Sequence, residues 1–115
     1  MKYLVLFIGG RIPEDKKQQS IIDRLDWMDE LTTQGKFING SPLKSEGKTV
    51  DGDKEDDYSH TPSSVNGFVI IEAKDIQEAT RLIRTAPQLL KEYGSAKAEI
   101  RPWQPITRPV DQPAS

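Results

Sequence analysis

Lys2 to Ile8 is apolar on both sides of a β-strand alternation, with Tyr3, Val5 and Phe7 on one face and Leu4, Leu6 and Ile8 on the other. A second such stretch is Gly67-Phe68-Val69-Ile70-Ile71-Glu72-Ala73. Its four consecutive apolar residues are too short for a free-standing helix and have the composition of a buried strand. Asp75 follows at once as a helix N-cap, with Glu78 three residues on as a capping-box partner. The same helix shows Ile76, Ala79, Leu82, Ile83 and Ala86 on one face, and Pro87 ends it. Leu89-Leu90 then forms a short extra turn, closed by Tyr93-Gly94.

Between these strands, Gly9-Gly10 ends the first, and the spacing predicts a helix from Glu14 to Thr33 with Gly35 just past its close. Ile21, Ile22, Leu25, Met28 and Leu31 make its apolar stripe, with Trp27 on the margin. Lys36 to Leu43 is a second strand, which Gly40 and Pro42 confine to an edge or a bulge. Ser45-Glu46-Gly47 turns into a short arm, Lys48 to Val50, so that a β-hairpin extends beyond the main sheet, and Asp51 to Asn66 reads as a long mobile loop of the kind that forms lids and binding loops. Ala96 to Trp103 is the last strand, with Ala98 and Ile100 on its one apolar side. Residues 1–104 then form one domain, and 105–115 a proline-marked tail containing Pro105, Pro109 and Pro113.

This order, β-α-β-arm-β-α-β, predicts an α+β fold of the ferredoxin-like βαββαβ type. The first and third strands lie at the centre of an antiparallel sheet and both helices on one face. Two helices cannot hide two apolar faces. The uncovered face calls for a partner, most simply a second copy in a dimeric α+β barrel.

Composition narrows the partners further. The 115 residues carry 16 basic and 18 acidic side chains for a net charge of −2, so no basic footprint for nucleic acid stands out. There is no cysteine, which excludes disulfides, thiolate nucleophiles and zinc-thiolate sites. Met1 to Ile8 is too short for a signal peptide, and no stretch approaches a membrane span, so a cytoplasmic protein is expected. No cofactor fingerprint is present.

The candidate chemistry is sparse. His60 is the only histidine, hence the one side chain suited to proton transfer near neutrality, with Asp57 or Asp51 as orienting carboxylate if the long loop folds inward. The competing reading is an exposed loop histidine. Arg11, after Gly9-Gly10, offers a counter-charge for an anion at a strand exit, against the alternative of a plain turn. Tyr3 and Trp27 could line a ligand pocket, although aromatic residues at such spacings more often pack a core. Asp51, Asp53, Glu55 and Asp57 alternate as a calcium loop begins, but Asp56 and Pro62 stand where its glycine and glutamate belong.

Five motifs in order support a resemblance. They are Met1-Lys2-Tyr3-Leu4, Gly35 with Gly40-Ser41-Pro42-Leu43, Asp51-Gly52, the Gly67 to Ala73 run with its helix, and Glu99-Ile100-Arg101-Pro102-Trp103. Together they resemble the YCII-related proteins, in the branch with an Asp-Gly-Pro-Phe tetrapeptide, over roughly residues 1–104. The resemblance implies a dimeric α+β barrel with a cleft between sheet and helices. It also implies small-molecule binding with lyase-like acid/base chemistry, since some relatives look like lyases using a His-Asp pair, or alternatively a non-catalytic regulatory module. This chain has Asp51-Gly52-Asp53-Lys54 in place of the tetrapeptide, losing its proline and aromatic ring.

Overall fold

A computed structural model describes residues 1–109. Its main sheet joins β1 (Lys2–Ile8), β2 (Phe37–Pro42), β5 (Val65–Glu72) and β6 (Lys97–Pro102) in the order β2-β5-β1-β6. Every pairing in it is antiparallel. The two strands with apolar residues on both faces are the central ones, and the strand bearing Gly40 and Pro42 lies at an edge, as the pattern predicts. Helices α1 (Lys17–Thr33) and α2 (Ile76–Ile83) complete the ferredoxin-like plan.

One sheet face is closed. Tyr3, Val5 and Phe7 of β1 and Val69 and Ile71 of β5 are buried there with Leu31, Ala79, Leu82 and Ile83 of the helices. The α2 entry works as predicted at Asp75, whose carboxylate accepts from the Glu78 amide at 2.8 Å. Glu78 does not close the reciprocal bond of a capping box. Its Oε1 accepts instead from the Lys74 amide at 3.2 Å and from Lys36 Nζ at 2.9 Å, tying α2 to the start of β2.

The buried side of α1 differs from the expected stripe. Ile21, Ile22 and Leu25 are 49%, 50% and 54% exposed, whereas Ser20, Trp27 and Leu31 are buried. Trp27 decides this rotation. Its indole meets the edge of the Phe7 ring with centroids 6.4 Å apart, and its Nε1 donates to Thr85 Oγ1 at 2.9 Å. That satisfied N–H lets the largest side chain enter the core, which the aliphatic stripe then cannot share.

The segment from Asp51 to Asn66 is not the unstructured loop expected either. Strand β3 (Lys48–Asp51) pairs with β4 (Lys54–Asp57) in a separate hairpin, and β5 already begins at Val65. The hairpin turns tightly at Gly52, whose φ of +62° suits a residue without a side chain. All eight strand residues are exposed, so no alternation of apolar and polar positions marks them. Of the proline-marked tail, residues 105–109 carry no regular structure, and Pro113 lies outside the described residues.

Candidate functional site

A cleft of about 750 Å³ opens where β1 exits toward α1, bounded by the base of the hairpin and by the segment that carries His60. The break in β1 begins with a bulge. Phe7 pairs with Gly67 but Ile8 with Val65, leaving Asn66 as the extra residue. Its amide then binds both sides of the opening, Nδ2 donating to the Gly9 carbonyl at 2.7 Å and Oδ1 lying 2.8 Å from His60 Nε2.

These two bonds fix the histidine. A carbonyl only accepts, so the Asn66 NH₂ must face Gly9 and its oxygen must face His60. The imidazole therefore carries its hydrogen on Nε2, which leaves Nδ1 of the neutral ring as an open acceptor. The Tyr58 ring stands edge-on to it, 6.3 Å away between centroids.

Arg11 is held by close backbone packing across the cleft. Gly94, at φ +93°, lies so near that any Cβ there would run into the Arg11 backbone. Next to it, Tyr93 is buried and donates to Asp23 Oδ2 at 2.5 Å. The accepting carboxylate pushes the phenol up to about 12, and the same bond, with help from Gln19, holds Asp23 below the usual carboxylate range. Tyr93 is thus a neutral clamp between α1 and the turn before β6.

The charge balance of the cleft is positive. Lys17 pairs with Glu14 at 2.8 Å, and that bond holds Glu14 low. Among the described residues, neither Arg11 nor Arg24 is within ion-pair distance of a carboxylate. Phe7, Met28, Ile12 and Leu43 provide the apolar lining. Gln88 also lines it, and its buried Oε1 has no hydrogen-bond donor. An unmet buried acceptor costs about 1–3 kcal/mol, which a donor reaching it from the cleft would recover.

Of the residues singled out from sequence, the fold brings His60 and Arg11 to this cleft and leaves the others elsewhere. Asp57 pairs with Lys48 at 2.7 Å in the hairpin, and Asp51 sits at the hairpin turn opposite Lys54. Neither lines the cleft, and Asn66 takes the place beside His60 for which a carboxylate was expected. Tyr3 and Trp27 are core residues, 2% and 7% exposed. Arg24, Asn66 and Tyr93 went unnoticed. Arg24 alone left a signal, a charge at helical spacing from Ser20, Trp27 and Leu31, but that line is recognisable only once Trp27 is known to face inward. Among the described residues, no three His, Asp or Glu side chains are grouped to hold a metal, and no helix is long and apolar enough to cross a membrane.

A family model described as the YCII-related domain matches residues 1–104. Among solved structures, the chain is similar to 5-chloro-2-hydroxyhydroquinone dehydrochlorinase from Burkholderia phenoliruptrix AC1100, in its complex with 2,5-dihydroxybenzoquinone. That similarity has a TM-score of 0.54 at 20% identity and covers 90% of this chain and 94% of the other. No curated protein matches by sequence.

Proposed function

As the chain belongs to the YCII-related family, we propose that it binds a small organic molecule in the cleft beside His60 and works as a homodimer. The observation that carries the binding reading is the cleft itself. Its volume lies within the range of small-molecule sites, and an apolar lining meets a few convergent polar groups there. The dihydroxybenzoquinone carried by the dehydrochlorinase is a precedent on this fold for a ligand of that size. His60, with Nδ1 open, is the group that accepts a proton if the ligand is also transformed, as in lyase-like chemistry. Arg11 supplies positive charge at the rim.

The second face of the sheet supports the homodimer reading. Leu4, Leu6 and Ile8 of β1 and Phe68 and Ile70 of β5 are only half-buried in the single chain, a contiguous apolar surface on its two central strands. A second copy set face to face removes that surface from water.

A thermal-shift screen of aromatic acids and phenols tests the binding reading. A ligand present at about a hundred times its Kd adds about 2.7 kcal/mol to folded-state stability, and the expected result is a clear rise in Tm for at least one such compound. His60→Ala is expected to abolish any turnover while leaving binding in place. A flat screen contradicts the reading. The exposed hairpin favours one other role, as a contact for another protein, and pull-down of a partner that disappears when residues 47–58 are replaced by a short turn would support it.

A further inference from the structure

Arg24 lies on the inward line of α1, between buried Ser20 and buried Trp27, and is itself half-buried. Its Nε donates to the Ser20 carbonyl at 3.3 Å, which fixes the guanidinium by one edge and leaves its terminal nitrogens to the cleft that Arg24 lines. The acid next to it in sequence is engaged elsewhere, since Asp23 receives Tyr93 on one oxygen and Gln19 on the other. No described carboxylate therefore balances a charge that has lost part of its water. Burial alone lowers its pKa, without an acidic neighbour to offset the effect. A partly desolvated cation without a counter-ion is unfavourable, and an anion delivered to it restores the balance.

We propose that Arg24 is the anion-holding residue of the cleft and that the ligand is a small ring-bearing carboxylic acid, its carboxylate on the Arg24 guanidinium and its ring against Phe7 and Met28. The chemistry of the lining selects this class. A guanidinium presents parallel N–H groups that match a carboxylate, and Phe7 and Met28, lining the same cleft, provide an apolar wall suited to a ring. Lys17 is already paired with Glu14 at the exposed rim, where Arg11 also reinforces the positive field. The inference rests on the proposed use of the cleft and goes further in naming the charge and the residue that reads it.

Isothermal titration with benzoate and with its neutral isostere benzamide tests it, on the full chain and on Arg24→Gln, Arg24→Lys and Arg11→Gln. A bond to a charged group is worth about 1.5–3 kcal/mol, so benzoate is expected to bind roughly tenfold to a hundredfold more tightly than benzamide. Arg24→Gln is expected to erase that preference while circular dichroism stays unchanged and Tm does not fall. Arg24→Lys keeps the charge without the fork and should retain part of it. Arg11→Gln should weaken benzoate only slightly. Equal binding of benzoate and benzamide by the unaltered protein overturns the proposal and leaves the cleft reading standing. So does a preference that disappears with Arg11 and survives Arg24→Gln. Failure of both compounds to bind overturns the proposal, while the cleft reading falls only if the thermal-shift screen is flat as well.

Discussion

The two faces of the sheet are built from the same strands and from nearly the same residues, yet they end in opposite states. On one face Tyr3, Val5, Phe7, Val69 and Ile71 are at most 4% exposed. On the other, one residue along each strand, Leu4, Leu6, Ile8, Phe68 and Ile70 are only partly buried. Hydrophobicity does not distinguish them; the helices do. Both crossovers return on the same side, so the chain covers one face and leaves the other only partly buried.

Paired truncations draw the sharpest contrast. Ile71→Ala removes a fully buried side chain from the closed face and is expected to lower stability by about 2–5 kcal/mol. Ile70→Ala, measured in a chain carrying Leu6→Asp to keep it monomeric, should cost less, about 1–2 kcal/mol, since its side chain is only partly buried. Similar losses in urea titrations of the two variants would erase the distinction between the faces.

Smaller effects test the covering layer. Trp27→Phe forfeits the bond to Thr85 and part of the packing on Phe7, and is expected to cost about 1–3 kcal/mol. A variant as stable as the parent would return α1 to the aliphatic orientation. Asp75→Ala removes the cap that starts α2, a loss of about 1 kcal/mol by thermal unfolding.

The smallest effect is a pH dependence. The bond from Lys36, then that from the Lys74 amide, holds the Glu78 carboxyl below its ordinary value. A carboxyl depressed in the folded state contributes stability that is fully present above its unfolded value, about 4.3, and is lost as pH falls through the folded value. Lys36→Met is therefore expected to lower stability near neutrality and to flatten its decline between about pH 5 and pH 3. An unchanged acid limb would exclude Glu78 as its source.

How far the sequence could be read follows the same division. The central strands were legible because the apolar runs Tyr3 to Ile8 and Phe68 to Ile71 fit little else, and the edge strand β2 because Gly40 and Pro42 weaken any ladder. The helix face was not, because Ile21, Ile22, Leu25, Met28 and Leu31 form a valid stripe by spacing, and only the tertiary partner Thr85 draws Trp27 inward. A hairpin at Lys48 was expected, but its second strand was hidden for the opposite reason. Lys54-Glu55-Asp56-Asp57 has no apolar residue, so its pairing depends on the tight turn and the Lys48–Asp57 ion pair rather than on burial. The cleft was half visible, since His60 and Arg11 stand out as residue types, whereas Asn66 and Arg24 matter only through what the fold places beside them.

The mass of the protein in solution tests the contrast between the faces most directly. Multi-angle light scattering at micromolar concentration is expected to give twice the 13.0 kDa chain mass, falling to a single chain when Leu6→Asp places a charge at the centre of the open face. A monomer at that concentration, equally stable with and without the substitution, would show that this apolar surface stays hydrated and that no second copy covers it.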